Sequence, residues 1–120
     1  MIFKSLTPII TTEKLEETLS FYTQILKFHI EDQNTDWGWA RLAKDGIEMM
    51  ISQPNAHLEH QKSTFTGSFY FEIDDVESLW QELRDRVSIC YELETFPWNM
   101  REFAIFDPNG YILQFGQNIE

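Results

Sequence analysis

Residues 40–51, "ARLAKDGIEMMI", and residues 104–115, "AIFDPNGYILQF", are built alike. Each is a β-rich run, a tight turn closing on glycine, and a second β-rich run. Setting Gly46 on Gly110 brings the two into register. In the second copy Asp107, Pro108, Asn109 and Gly110 suit a type I turn followed by a left-handed residue. Asp bonds back to the backbone, Pro presets φ, and Gly takes the positive φ that closes the hairpin. Lys44-Asp45-Gly46 is the matching signal in the first copy.

The surroundings repeat too. "FKSLTPIIT" reads as a strand, with Pro8 at an edge or entry. "TTEKLEETLSFYTQILKF" reads as a helix over about residues 13–26, since Leu15, Leu19, Tyr22 and Leu26 fall at helical spacing. Thr12 stands at the N-cap position, with acids in the first turn. The strands "FHIEDQ", "WGWARLA" and "IEMMISQ" follow, and then the polar loop "PNAHLEHQKSTFTG". The order then recurs: strand "SFYFEID", a helix over about residues 75–87 with Val76, Leu79, Trp80 and Leu83 on one face, then "CYELETF", "REFAIFD" and "YILQFG". The sequence thus predicts β-α-β-β-β twice, an α+β fold of two tandem modules, residues 1–60 and 67–120. Neither half can bury a sheet face alone, and no Gly-, Pro- or Ser-rich linker separates them. A single domain over residues 1–120 is expected.

Charge narrows the partners. Twenty acids against 9 Lys and Arg give a net charge of -11. A field of that sign repels phosphate backbones and anionic lipid, so nucleic acid and membrane are not expected partners, and a cationic ligand is favoured. Aromatic residues make up 15% of the chain, more than a core this small needs, so some are expected in a cavity or interface. Cys90 is the only cysteine, which excludes an intramolecular disulfide and a metal held by a cluster of thiols. "MIFKSLTPIITTEK" lacks the apolar run of a secretory leader, and a cytoplasmic protein is expected.

With two β-α-β-β-β modules, "ETLSFYTQILKF" on the first helix and "PWNMREFAIFDPNGYILQF" near the end, the whole chain resembles the vicinal oxygen chelate superfamily. That group includes glyoxalases, extradiol dioxygenases, fosfomycin-resistance enzymes and bleomycin-resistance proteins. The run Arg-Glu-Phe-Ala-x-x-Asp-Pro-x-Gly is most similar to the bleomycin-resistance branch. The resemblance implies curved mixed sheets around a cup-shaped cavity, two cups per site, and a homodimer, in some members formed by exchange of the first strand.

It also implies where a metal would sit in metal-dependent members. Those positions are Thr7, Met50, Ser68 and Gln114. A divalent catalytic ion wants several His or carboxylate ligands at about 2.0–2.2 Å, and this set offers neutral oxygens and one thioether. No metal and no cofactor are expected. Against that, Gln ligates metal in some glyoxalases, which leaves Gln114 open as a ligand. Glu48, two residues from Met50, would share its strand face, so that a one-step slip in the mapping would bring it into a ligand role. His29 lies on a predicted strand, and His57 and His60 lie in the polar loop, with no third ligand in sight.

What the cup would hold follows from its walls. By the same resemblance and by strand alternation, the candidate ligand-binding residues are Trp37, Trp39, Met50, Ser68, Tyr70, Trp98 and Gln114. Trp39 and Trp98 match aromatic positions of bleomycin-resistance proteins. For either Trp37 or Trp39, packing on a helix or dimer partner is an equal reading. Arg101 suits a structural ion pair, while Glu48 and Glu72 suit either a cationic ligand or solvent. No phosphate loop and no nucleophile–base pair stands out, and Cys90 has no evident base. The expected function is metal-independent binding of an aromatic or cationic small molecule, an antibiotic among the candidates, rather than catalysis. The competing classes are a metal-dependent lyase, isomerase or dioxygenase with an atypical site, and a dimeric interaction module.

Overall fold

The computed structural model describes residues 1–55, 64 and 67–120. The chain divides into two compact units, Met1–Gln61 and Lys62–Glu120. The first contains β1 (Ile9–Thr11), α1 (Leu15–Ser20), β2 (His29–Asn34), β3 (Trp39–Lys44) and β4 (Ile47–Ser52). The second contains β5 (Phe69–Glu72), α2 (Val76–Leu83), β6 (Ser88–Phe96), β7 (Met100–Phe106) and β8 (Ile112–Asn118). Their sheets have the same topology. The strand orders are β1-β4-β3-β2 and β5-β8-β7-β6, each with one parallel pair and two antiparallel pairs. The repeat read from the sequence is therefore a repeat of strand order as well as of element type.

Both hairpins close as their residues dictate. Asp45 and Gly46 have φ of 50° and 84°, the two-residue turn whose twist matches its strands. In the second unit Asp107 Oδ1 accepts from the backbone N–H of Asn109 at 2.8 Å and of Tyr111 at 2.9 Å, and Gly110 takes φ 87°.

Several boundaries differ from the sequence expectation. Regular pairing of the first strand starts only at Ile9, after Pro8, whose ring leaves no N–H to donate. The first α-helix runs only six residues before the chain widens into a π turn over Phe21–Ile25, where the Leu26 N–H reaches back five residues to Phe21. The wider turn buries the neighbouring rings of Phe21 and Tyr22, which meet edge to face at 5.2 Å. Thr12 does not cap α1. Its hydroxyl accepts from the Lys14 N–H at 2.8 Å and from Thr18 Oγ1 at 3.2 Å, fixing the approach to the helix instead. In the second helix Asp75 is the N-cap, accepting from the Ser78 N–H at 3.1 Å, and the last turn ends at Leu83.

Each unit has its own apolar layer between helix and sheet. Ile10, Tyr22, Leu42 and Ile51 are fully buried in the first. In the second, Val76, Leu83, Phe103, Ile105 and Leu113 are fully buried, and Phe103 stacks on Phe115 at 5.3 Å and meets Trp80 of α2 at 5.1 Å. Each such side chain contributes about 1.5–3 kcal/mol through burial. Among the described residues no helix is long and apolar enough to cross a membrane.

Candidate functional site

Strand alternation decides what the second sheet presents. Phe71, Phe103, Phe115 and Gln117 point to the α2 side, where Gln117 Oε1 accepts from the Val76 N–H at 2.9 Å and Phe103 meets Trp80. The residues between them face the other way. Tyr70 pairs with Gln114, Gln114 with Ala104, and Ala104 with Tyr91, so this row crosses all four strands on the open face. The next row holds Gly116 opposite Glu102.

These residues form one hydrogen-bonded cluster. Ser68 Oγ donates to Gln114 Oε1. Gln114 Nε2 donates to the Tyr91 hydroxyl at 2.8 Å. Tyr91 donates to Glu102 Oε2, and Tyr70 donates to Glu102 Oε1 at 3.0 Å. Glu102 is 4% exposed, a carboxylate buried on a sheet face with both oxygens satisfied by phenols. Among the described residues no Lys, Arg or His pairs with it. Its sequence neighbour Arg101 points to the helix side and pairs with Glu77 of α2 at 2.7 Å, the structural ion pair expected for it.

Burial, together with the bond to Glu102, pushes the Tyr70 hydroxyl up to about 12. Tyr91 is raised further by the same two causes, against a smaller opposing pull from the Gln114 bond. Both phenols therefore hold their protons at neutral pH and act as donors to Glu102.

An aromatic path leads to this cluster from the sheet end. Trp98, 61% exposed in the turn between β6 and β7, stacks on Phe96 at 4.9 Å with the rings 16° from parallel. Phe96 in turn meets Tyr91 edge to face at 5.9 Å. Of the residues singled out by sequence, Ser68, Tyr70 and Gln114 thus meet in one cluster, and Trp98 joins it through Phe96. Tyr91, Phe96 and Glu102 were missed. Glu102 carried a signal: it is an acid between Met100 and Ala104 on one face of a strongly apolar strand.

Trp37, Trp39 and Met50 belong to the first unit. Trp37 is 75% exposed in the turn before β3, where its backbone N–H donates to Asn34 Oδ1 at 3.0 Å. Trp39 is half-buried, and the Arg41 guanidinium lies 5.8 Å from its ring centre. It borders an open groove of about 730 Å³ that also includes Glu13, Glu17, Asn34 and Gln53. Met50 pairs with Ile9 as Gln114 pairs with Tyr70, so the two occupy equivalent places. Glu48 is exposed on β4, and His29 is exposed and bonded to Glu31 at 2.7 Å. His57 and His60 lie outside the described residues.

The donors do not suit a divalent ion. Among the described residues no three His, Cys, Asp or Glu side chains gather in ligating range. At the second-unit positions, Gln114 Oε1 is engaged by Ser68, and its amide nitrogen is turned to Tyr91.

The family model of the Glyoxalase/Bleomycin resistance protein/Dioxygenase superfamily matches residues 4–115. The chain belongs to that superfamily. Solved structures similar to this glyoxalase/bleomycin-resistance superfamily member include a protein of unknown function from Agrobacterium tumefaciens str. C58, with TM-score 0.82, 21% identity, and 98% of this chain and 95% of that one covered. The bleomycin-binding protein of bleomycin-producing Streptomyces verticillus, solved with copper(II)-bleomycin, matches at TM-score 0.72 and 26% identity over 96% of each chain. A lactoylglutathione lyase from Agrobacterium tumefaciens matches at TM-score 0.74 and 13% identity, covering 95% of this chain and 92% of that one. No curated protein matches the sequence.

Proposed function

We propose that this superfamily member is a metal-independent binding protein that sequesters a small aromatic or cationic molecule on the open face of its second sheet. The observation that carries the reading is the buried Glu102 carboxylate, held by Tyr70 and Tyr91 and reached along the Trp98–Phe96 stack. An exposed indole offers stacking and cation–π attraction of about 0.5–2 kcal/mol per contact. A buried acid that no Lys, Arg or His pairs with among the described residues adds attraction for a positive group. The net charge of -11 supports the same polarity, and the Streptomyces verticillus relative supports binding as a use of this fold. Antibiotic resistance by sequestration is the biological form we favour, and one free thiol, Cys90, fits a cytoplasmic setting.

The competing reading, a metal-dependent lyase, isomerase or dioxygenase, would need ligands that Thr7, Met50, Ser68 and Gln114 do not supply. We further propose a homodimer. Met1, Ile2, Phe3 and Leu6 are each more than 80% exposed, an apolar segment that a second copy would cover. Light scattering showing a 14.3 kDa monomer at all concentrations would remove the dimer. The binding reading is tested by a thermal-shift ligand screen with and without chelator. A ligand at 100 times its Kd should add about 2.7 kcal/mol of stability whether or not chelator is present. Binding or turnover lost on chelation and restored by a divalent ion would establish the metal-dependent alternative.

A further inference from the structure

The hydrogen bonds on the open face have a direction. Ser68 gives its proton to Gln114, Gln114 gives one to Tyr91, and Tyr91 and Tyr70 give theirs to Glu102. Every hydroxyl proton of the cluster is spent inward, on the carbonyl oxygen of Gln114 or a carboxylate oxygen of Glu102. What remains for a molecule arriving from solvent is mostly lone pairs. Ser68 is exposed and Tyr70 is 44% exposed, and among the described residues no donor reaches either oxygen. The one proton left over is the second N–H of Gln114 Nε2, since its partner goes to Tyr91. Behind the Tyr70 oxygen lies the charge of Glu102, one hydrogen bond away, and from Ser68 the same carboxylate is reached through Gln114 and Tyr91.

Each ligand class meets this surface differently. An anion would face lone pairs backed by negative charge. A quaternary ammonium would gain the charge attraction but has no proton to offer the two oxygens. A protonated primary or secondary amine satisfies both requirements, because its N–H groups are donors and its charge complements Glu102. The Trp98–Phe96–Tyr91 aromatic path lies on the same face and would carry an attached ring.

Deepening the binding reading above, on which it rests, we propose that the Ser68–Gln114–Tyr91–Glu102–Tyr70 cluster selects aromatic amines that carry ammonium N–H donors, over quaternary ammonium and anionic analogues. Ser68 and Tyr70 accept the N–H groups, Glu102 sets the sign of the charge, and Gln114 and Tyr91 hold the proton order that keeps the outer oxygens as acceptors.

The experiment is an NMR titration of the full chain with phenethylammonium, its N,N,N-trimethyl analogue, phenylpropionate and phenethyl alcohol. Phenethylammonium should bind about tenfold or more tightly than the trimethyl cation, the difference being hydrogen bonds of a charged donor. Phenylpropionate should be weakest. In Tyr70→Phe, which keeps the half-exposed ring, and in Glu102→Gln, the preference for the primary amine should fall to about twofold or less. Circular dichroism checks that each variant is folded, and Tyr70→Phe decides alone if Glu102→Gln is not. Equal binding of the two cations would overturn the N–H selection while leaving a cation-binding protein. Preference retained in Tyr70→Phe would overturn its assignment to this cluster. If only the alcohol binds, the inference falls and small-molecule binding stands. If phenylpropionate binds most tightly, the inference and the preference for cations fall together. If no probe binds, the inference falls, and the ligand screen above separately decides the binding reading.

Discussion

The Tyr70 hydroxyl donates to Glu102 Oε1 at 3.0 Å by passing over Gly116, the strand position opposite Glu102 that has no side chain. A Cβ built at 116 would overlap that hydroxyl and lie 2.7 Å from Tyr70 Cζ and 3.1 Å from Met100 Cε. The glycine is required by close approach, because it leaves the channel through which an edge strand reaches a carboxylate two strands away.

Gly116→Ala should therefore act on one bond. The ring of Tyr70 can swing outward, so the fold should survive, with a loss of about 1–3 kcal/mol for a hydrogen bond to a charged acceptor. Urea unfolding gives that figure. Phenolate absorbance should show Tyr70 titrating closer to its ordinary range once it has left Glu102.

The phenols also set an alkaline limit. Tyr70 is raised from 10.0 to about 12 in the fold, and Tyr91 moves in the same direction, so folding favours their protonated forms. That contribution is fully present below about pH 10 and is lost as pH rises through about 12. Glu102 lies beside both hydroxyls, and Glu72 adds to the negative field at Tyr70. Stability measured in urea across this window should fall with rising pH. The fall should be shallower in Tyr70→Phe, which has one fewer phenol to ionise.

Two aromatic substitutions should separate folding from binding. Phe103 is fully buried between Trp80 and Phe115, and Phe103→Ala should cost about 3–5 kcal/mol in denaturant unfolding. Trp98 is 61% exposed and touches the fold through Phe96, so Trp98→Ala should cost about 0.5–1.5 kcal/mol of stability. Its effect should appear in ligand affinity instead, as a loss of roughly 1–3 kcal/mol in calorimetric titration.

The repeated module was legible because each half states its turns locally. Asp45-Gly46 and Asp107-Pro108-Asn109-Gly110 need nothing distant to form, and between them they fix two of the four strands in each sheet. Helix lengths were less legible. The π turn at Phe21–Ile25 depends on how Phe21 and Tyr22 pack, which apolar spacing alone does not encode. Ser68 and Gln114 could be placed from the family resemblance, and Tyr70 with them because β5 and β8 keep a strict period of two. Tyr91 could not, because β6 shifts register on both sides of it, between Ile89 and Tyr91 and between Tyr91 and Glu94. Counting alternate residues from Phe96 fails across such a strand. Glu102 escaped for a different reason: net charge is a property of the whole chain and does not single out one acid on a mostly buried strand.

Glu102 has a consequence for how the sheet comes apart. In the order β5-β8-β7-β6, its two oxygens each hold a side chain from a different outer strand, Oε1 that of Tyr70 from β5 and Oε2 that of Tyr91 from β6. Edge strands ordinarily fray ahead of the interior, exchanging their amide hydrogens through small local openings. Here neither edge can lift without surrendering a bond to a carboxylate in the middle. Amides of β5 and β6 should therefore exchange at rates approaching those of β7 and β8, and Glu102→Gln should release the two margins before the centre.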